Sequence, residues 1–463
     1  MNHLIMKTHH LILLTTFLFV TLFYKENMGI NMGLFGIVCA VLTCINTPQR
    51  NKTRLFFVLF ITTILSSAAF VWYGDFSSFL ALVSSLILLS FRSKSRKLKI
   101  LFILPVFVTN FFTFLCRFLN FDKWIPKRNS SGTGQKLLAI ILIPAFFVFI
   151  FFVVYTYGSD QFANLFINIS WDINFWQLFC LSVLGFFLAF NYWNFVVERL
   201  IYKQHSVLDN DFNNAKQIPK PTYSFLTIGA ERMSGVVTFL LLNILLVFFI
   251  VSYNYEQFYE TPKTPVQLSE ETHERVGAVI LSIIMVILVI MFYFKSAFNF
   301  DPKAKLMQLL AKIWLGLNTV LLFSAMMKNT EYIVNYGYTY KRLGVYAFLI
   351  LATIGLGITF IKIHRKKTNA FLFNTMFWFF YATILMISFV NWGGIVTREN
   401  IKRKDFSVEY HQDSVNFNDC YLLKYAEDSH NNLLRSYVLD KVNKEQKKTF
   451  LSKLLYYETI NTK

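Results

Sequence analysis

Charge is scarce in this 463-residue chain: 15% of its residues are Asp, Glu, Lys or Arg, against about 25% in ordinary soluble domains. With 55% hydrophobic residues and 53 Phe, it has too few polar groups to cover a soluble globule. Cysteine is scarce too. The five present (Cys39, Cys44, Cys116, Cys180 and Cys420) form no CxxC pair and no His–Cys spacing, so neither a disulfide framework nor a zinc site is indicated. Histidine numbers eight, without a clustered ligand set, and no metal or cofactor is expected. The sequence has no GxSxG, P-loop, HExxH or Gly-rich dinucleotide turn, so no catalytic residue is assigned.

Long apolar runs are what the chain does have. They recur along its whole length, which makes the expected fold all-α: a polytopic transmembrane helix bundle. A crossing needs about 20 mostly apolar residues. Eleven candidates lie near 11–24, 29–45, 55–73, 76–91, 137–157, 176–197, 233–252, 276–294, 306–327, 343–361 and 370–391. The first follows a basic start, lacks a small-residue cleavage motif and reads as a retained helix rather than a signal peptide.

The net charge of +19 would suggest nucleic acid in a soluble chain. Here the basic residues flank apolar runs, as on the cytoplasmic side of membrane helices, and no nucleic-acid partner is expected. The same rule places "LFILPVFVTNFFTFLCRFLNF" (101–121), which holds Pro105, Asn110 and Arg117. Basic clusters lie on both sides of it, and both stay inside only if the segment is interfacial or re-entrant. The expected division is a four-helix segment 1–97, the interfacial helix and basic loop 98–136, a seven-helix core 137–395 and a polar tail 396–463. The N-terminus falls in the cytoplasm and the tail outside, in a bacterial inner membrane. In the tail, "DCYLLKYAEDSHNNLLRSYVLDKV" reads as one short amphipathic helix and "KKTFLSKLLYYETI" as another.

Polar side chains inside spans are the candidates for function. Asn243 and Asn318 lie well within apolar runs; each either binds a substrate or bonds a neighbouring helix. Glu198-Arg199 and Glu231-Arg232 border the loop 198–232, as a charged gate or as interfacial anchors. Asp209-x-Asp211 has a spacing seen at metal–nucleotide sites, and is common by chance in polar loops. His273 opens a helix among acids and reads as a helix-start residue, while Gly355 and Gly357 read as points of close helix approach.

The stretch "NTEYIVNYGYTYKRLGVY" (329–346) is expected to be an outer link. Tyr332, Tyr336, Tyr338, Tyr340 and Tyr346 then belong to an aromatic belt. Lys341 and Arg342 are unexplained by that belt, although Glu331 would neutralise one. Arg342 beside Tyr338 and Tyr340 is the candidate site for a phosphate or carboxylate headgroup.

These residues also carry a likeness. "YIVNYGYTYKRLGVY", "AERMSGVVTFLLLNILL", "SEETHERVGAVILSIIMVILVIMFYFKSAFNF", "VNWGGIVTRENIKR", "FNDCYLLKYAEDS" and "LFYKENMGINMGLF" resemble a bacterial multi-pass family built on a domain of unknown function, DUF4153- or DUF4173-like. Members more often carry Leu at the position of Tyr338. The resemblance implies a membrane bundle and brings no activity; Asn400-Ile401 and Asp419-x-Tyr421-Leu422 are matched positions without a role.

Three functions stay open. One is a permease or binding protein for a small solute or lipid headgroup. The second is a non-catalytic envelope sensor or partner-binding subunit, with an envelope protein as partner. The third is a lipid-modifying transferase. Membrane lipids are partners in all three.

Overall fold

Helices here begin where a short polar side chain can accept from an N–H that has no carbonyl of its own. In the computed structural model, which describes residues 6–96, 99–124, 143–159, 161–162, 174–197, 201, 208–212, 221, 224–259, 265–295 and 297–461, Thr53, Asp75, Thr339 and Thr368 cap helices in this way. The elements are α1 (Thr8–Phe23), α2 (Ile30–Asn46), α3 (Arg54–Tyr73), α4 (Phe76–Lys94), α5 (Ile103–Phe112), α6 (Phe114–Leu119), α7 (Ile143–Gly158) and α8 (Phe175–Trp193). There follow α9 (Ile228–Tyr259), α10 (Pro265–Tyr293), α11 (Lys305–Tyr336), α12 (Tyr340–His364) and α13 (Asn369–Ser388). The tail forms α14 (Trp392–Ile401), α15 (Val408–Asp413), α16 (Asp419–Asp428) and α17 (Asn432–Gln446). No strand occurs among the described residues.

Among the described residues eight helices, α3, α4 and α8–α13, are long and apolar enough to cross a membrane; α1 and α2 are shorter, at 16 and 17 residues. This is an all-α bundle of a multi-pass membrane protein. The third helix from the end of that series changes the expected threading. α11 runs on to Tyr336 and α12 starts at Tyr340, so the eighteen-residue outer link shrinks to Gly337–Thr339. Lys328 and Glu331, which look like link residues, pair along the helix at 3.2 Å. Glu331 therefore does not neutralise Lys341 or Arg342.

Two packed groups make up the bundle. α1–α4 pack with α8, α9–α12 pack around α11, and α13 joins them by lying on α3, α4 and α12. Lipid tails are as apolar as Leu, so what holds the helices is close packing and polar contact. A Cβ on Gly36 would stand 2.6 Å from Ser67 Oγ and 2.7 Å from Leu82, so glycine lets α2 meet α3 and α4. Gly355 and Gly357, the expected points of approach, do not act so: a Cβ on the first would stand 3.6 Å from Met376, in ordinary contact, and one on the second would meet nothing within 4 Å. Hydroxyl ties join the groups instead. Tyr381 on α13 meets Thr62 and Ser85 at 2.8 Å each; within the first group, Tyr192 on α8 meets Thr43 at 2.8 Å.

The segment after α4 breaks into α5 and α6 at Thr113. Both its ends are held at one end of the bundle. Lys99 pairs with Asp209 at 3.0 Å, and Arg117 Nη1 donates to Asn194 O, just past α8, at 2.6 Å. Asn110 exchanges two bonds with the backbone of Val196, both 2.8 Å.

The tail is a helical cap over the other end. Leu422, Leu434, Val438, Val442 and Tyr456 form its core, and Ile30 N donates to Lys453 O at 3.0 Å while Asn27 N donates to Ser452 Oγ at 2.7 Å. A unit this small buries little surface alone, which accounts for its ties to the bundle. Its first expected helix is two: His430 adopts a left-handed backbone (φ 53°) and Asn431 caps α17. The second is only a 3-10 turn, Phe450–Ser452, and a four-residue helix, Leu455–Glu458.

Candidate functional site

A helix ends with carbonyls that lack intrahelical donors and carry the negative end of its dipole. At the end of α11 two arginines supply the donors. Arg342 Nη1 donates to Tyr336 O at 2.7 Å and to Gly337 O. Arg403, from the cap, donates through Nη1 to Ile333 O and Val334 O and through Nη2 to Asn335 O. Its Nε and Nη2 also meet Asp405 at 3.0 and 3.2 Å, and these bonds hold the Asp405 carboxyl below its usual range. The Arg342 guanidinium lies 3.8 Å from the centroid of the Tyr332 ring. Tyr332 is thus buried beneath a cation rather than placed in an aromatic belt.

Asn400 clasps the link. Its Oδ1 accepts from Tyr338 N at 2.7 Å, and its Nδ2 donates to Tyr338 O at 2.9 Å. Gly337 makes room: its φ is 82°, and a Cβ there would stand 2.8 Å from Asn400 Oδ1. Asn400 Nδ2 also lies 3.0 Å from His411 Nε2, while His411 Nδ1 lies 2.7 Å from Ser407 O. A carbonyl only accepts, so Nδ1 carries the proton and Nε2 accepts from Asn400. Burial pushes the His411 pKa down, against the Ser407 carbonyl, which raises it.

Between the link and the cap lies a recess of about 240 Å³, lined by Tyr338, Thr339, Arg342, Ser407, Tyr410 and His411 among others. Thr339 and Ser407 accept from backbone N–H groups, which leaves their hydroxyl protons to donate. With Arg403 offset by Asp405 and His411 neutral, the recess has about one net positive charge, from Arg342. Arg342 Nε and Nη2 have no hydrogen-bond partner among the described residues.

Of the residues singled out from sequence, the structure brings Arg342, Tyr336, Tyr338 and Asn400 into this recess. Tyr340 turns to a neighbouring cavity of about 460 Å³, where its hydroxyl accepts from Asn416 N at 3.1 Å, and Lys341 is exposed. Asn243 and Asn318 are elsewhere. Asn243 Nδ2 donates to Phe239 O and, across to α11, to Leu310 O; its buried Oδ1 lacks a partner among the described residues. Asn318 Nδ2 donates to Trp314 O, and its Oδ1 accepts from Ser282 at 3.4 Å. Of the expected four-charge network, Arg232 pairs through Nε with Asp301 at 2.8 Å. Glu231 is buried, and Glu198 and Arg199 lie outside the described residues, as does the side chain of His273. Asp209 and Asp211 pair with Lys99 and Lys367, and no group of three metal-binding side chains occurs among the described residues.

Ser407, Tyr410 and His411 had no signal in the sequence, and Arg403 only closes a family-like stretch, 390–403. Asn400 had one, as a matched family position, and so did Asp419, which is fully buried with Lys441 Nζ 2.8 Å away. No curated protein and no solved structure matches the chain. The family model of a domain of unknown function, DUF4153, matches residues 37–420, most of the chain including the link and Asn400, and the protein belongs to that family.

Proposed function

We propose that this membrane protein binds a small anion, a phosphate or carboxylate, free or as a lipid headgroup, in the recess between the α11–α12 link and the cap. One observation carries the reading: Arg342 is anchored through Nη1, while its Nε and Nη2 have no partner among the described residues, in a recess rimmed by hydroxyl donors. A planar cation held at one edge is already oriented for an oxyanion at the other. The inter-helix basic residues support an outward-facing cap in a bacterial cytoplasmic membrane. Arg50 and Lys52, Lys303 and Lys305, and Arg365 to Lys367 all follow or precede helices at the end away from it. The reading is binding rather than permeation, since Asn243 and Asn318, the amides that would line a route, bond helix carbonyls.

The test is inorganic phosphate and glycerol phosphate titrated into purified protein by calorimetry, wild type beside Ser407→Ala/Tyr410→Phe and Arg342→Gln. Binding should weaken about tenfold in the hydroxyl variant, beyond the small loss of thermal stability that uncapping α15 at Ser407 causes, and vanish in Arg342→Gln. No binding to wild type, or equal binding by all three, would sink the proposal.

A further inference from the structure

From mid-bundle toward the end away from the cap, a third cavity of about 310 Å³ opens between α2, α4, α5 and α8. Its walls are almost wholly apolar, with Phe35, Cys39, Leu86, Phe107, Phe111 and Phe187 among them. It is roughly twice the ~150 Å³ of an apolar cavity that admits benzene. Along α4 it extends from Val83 to Phe91, about 12 Å at 1.5 Å per residue, so it is a slot rather than a pit. Phe107, Phe111 and Leu188 are 48%, 51% and 42% exposed, which leaves its side open where lipid would lie.

Two cations stand at the slot. Arg117 Nη2 donates to Asn110 O at 2.7 Å and to Asn191 Oδ1 at 2.6 Å, and both asparagines line the slot. Its Nε is buried without a partner among the described residues. Lys94 Nζ donates to Phe195 O at 2.9 Å and lies 4.2 Å from the centroid of that ring, and Phe195 is also a slot residue. Every acceptor these cations reach among the described residues is neutral. No carboxylate among the described residues pairs with either, and α4, α5, α6 and α8 contain no acid at all.

We propose that the slot holds one acyl chain of an anionic phospholipid, with its phosphate met by Arg117 and Lys94. Charge complementarity selects this occupant. Neither cation has a counter-ion among the described residues; Lys94 is exposed and Arg117 half-buried, both beside apolar walls, and a single amphiphile supplies both the anion and the chain. Basic pockets between membrane helices take anionic headgroups on the same grounds. The site is separate from the recess under the cap, and neither proposal depends on the other.

The test is native mass spectrometry of protein reconstituted with phosphatidylglycerol or phosphatidylcholine of identical chains, then delipidated in detergent. Wild type should keep one phosphatidylglycerol at least fivefold longer than phosphatidylcholine. Val83→Trp, which fills the slot, should abolish retention of both at unchanged melting temperature. Lys94→Gln/Arg117→Gln should erase the preference between headgroups, and Lys94→Gln alone should reduce it where the double variant fails to fold. Equal retention of the two lipids by wild type, undiminished retention by Val83→Trp, or recovery of free fatty acid in place of phospholipid would overturn the assignment.

Discussion

The two ends of the bundle treat their cations differently. Under the cap, Arg403 is absorbed by three carbonyls of α11 and by Asp405, and Lys441 by the buried Asp419. At the far end, beside α5 and α8, Lys94 and Arg117 reach only backbone carbonyls and one amide oxygen. A carbonyl fixes where a cation sits but leaves its charge intact, whereas a carboxylate removes the charge from play. The cap end is therefore tied down, with Arg342 keeping one free edge. At the far end Asp209, Asp211 and Asp301 pair with Lys99, Lys367 and Arg232, while Lys94 and Arg117 are tied down and still positive.

The comparison breaks most directly at Asn400. Replacing it with Leu strips partners from Tyr338 N, Tyr338 O and His411 Nε2 together. At about 1–3 kcal/mol for each buried group left unsatisfied, the cap should lose roughly 3–5 kcal/mol of docking. Hydrogen exchange over 337–340 and 400–411 reads this, with protection expected to collapse there and persist in α9–α10; unchanged protection would mean that the clasp holds nothing. A smaller loss is expected from Arg403→Met, about 2 kcal/mol, because the aliphatic stem remains while the carbonyls of α11 lose their donors. If the ends differ as described, Lys94→Met at the far end should change thermal stability by well under half as much.

Acidity provides a graded version of the same break. The folded-state pKa of His411 lies below the ordinary imidazole value because the ring is buried. The undocked chain therefore binds the proton first as pH falls. Docking contributed by this site is fully present above about 6.5 and is lost progressively below it, since stability rises with pH wherever the unfolded state holds more protons. Protonation would also set an N–H at Nε2 against the Asn400 amide. Cap opening followed by proteolysis between pH 8 and 5 should rise in wild type, and His411→Gln should flatten the profile. A wild-type profile already flat would show that His411 is not coupled to docking.

The helices were legible because apolar runs of membrane length have few other uses. Where α11 ends was not. Lys328, Asn329 and Glu331 look like a link, but the helix continues through them because Arg342 and Arg403 satisfy its last carbonyls, and Arg403 lies about seventy residues downstream. Of the candidate site, Arg342 and Tyr338 could be read from local chemistry, and Asn400 from its family match. The recess itself needs Ser407, Tyr410 and His411 from the cap, and no periodicity or spacing ties those residues to the link. Asn243 and Asn318 were visible as intramembrane amides, but only the neighbouring carbonyls decide between a helix tie and a ligand.

The smallest effect is expected at Asp209 and Asp211. Both sit on the short 208–212 segment, 41% and 70% exposed, paired with Lys99 and Lys367, and exposed pairs contribute about 0–1 kcal/mol. The segment has other holds: Thr368 Oγ1 donates to Asp209 O at 2.6 Å, and Asn374 Nδ2 to Asn210 Oδ1 at 2.7 Å. Asp209→Asn/Asp211→Asn should therefore shift thermal stability by under about 1 kcal/mol and leave the cap's exchange protection untouched. Removing two negative charges makes the far end more positive, so retention of phosphatidylglycerol should hold or lengthen. A shortened retention at unchanged stability would mean that these carboxylates, not the bare cations beside α5, organise that end, and would reopen them as carriers of chemistry.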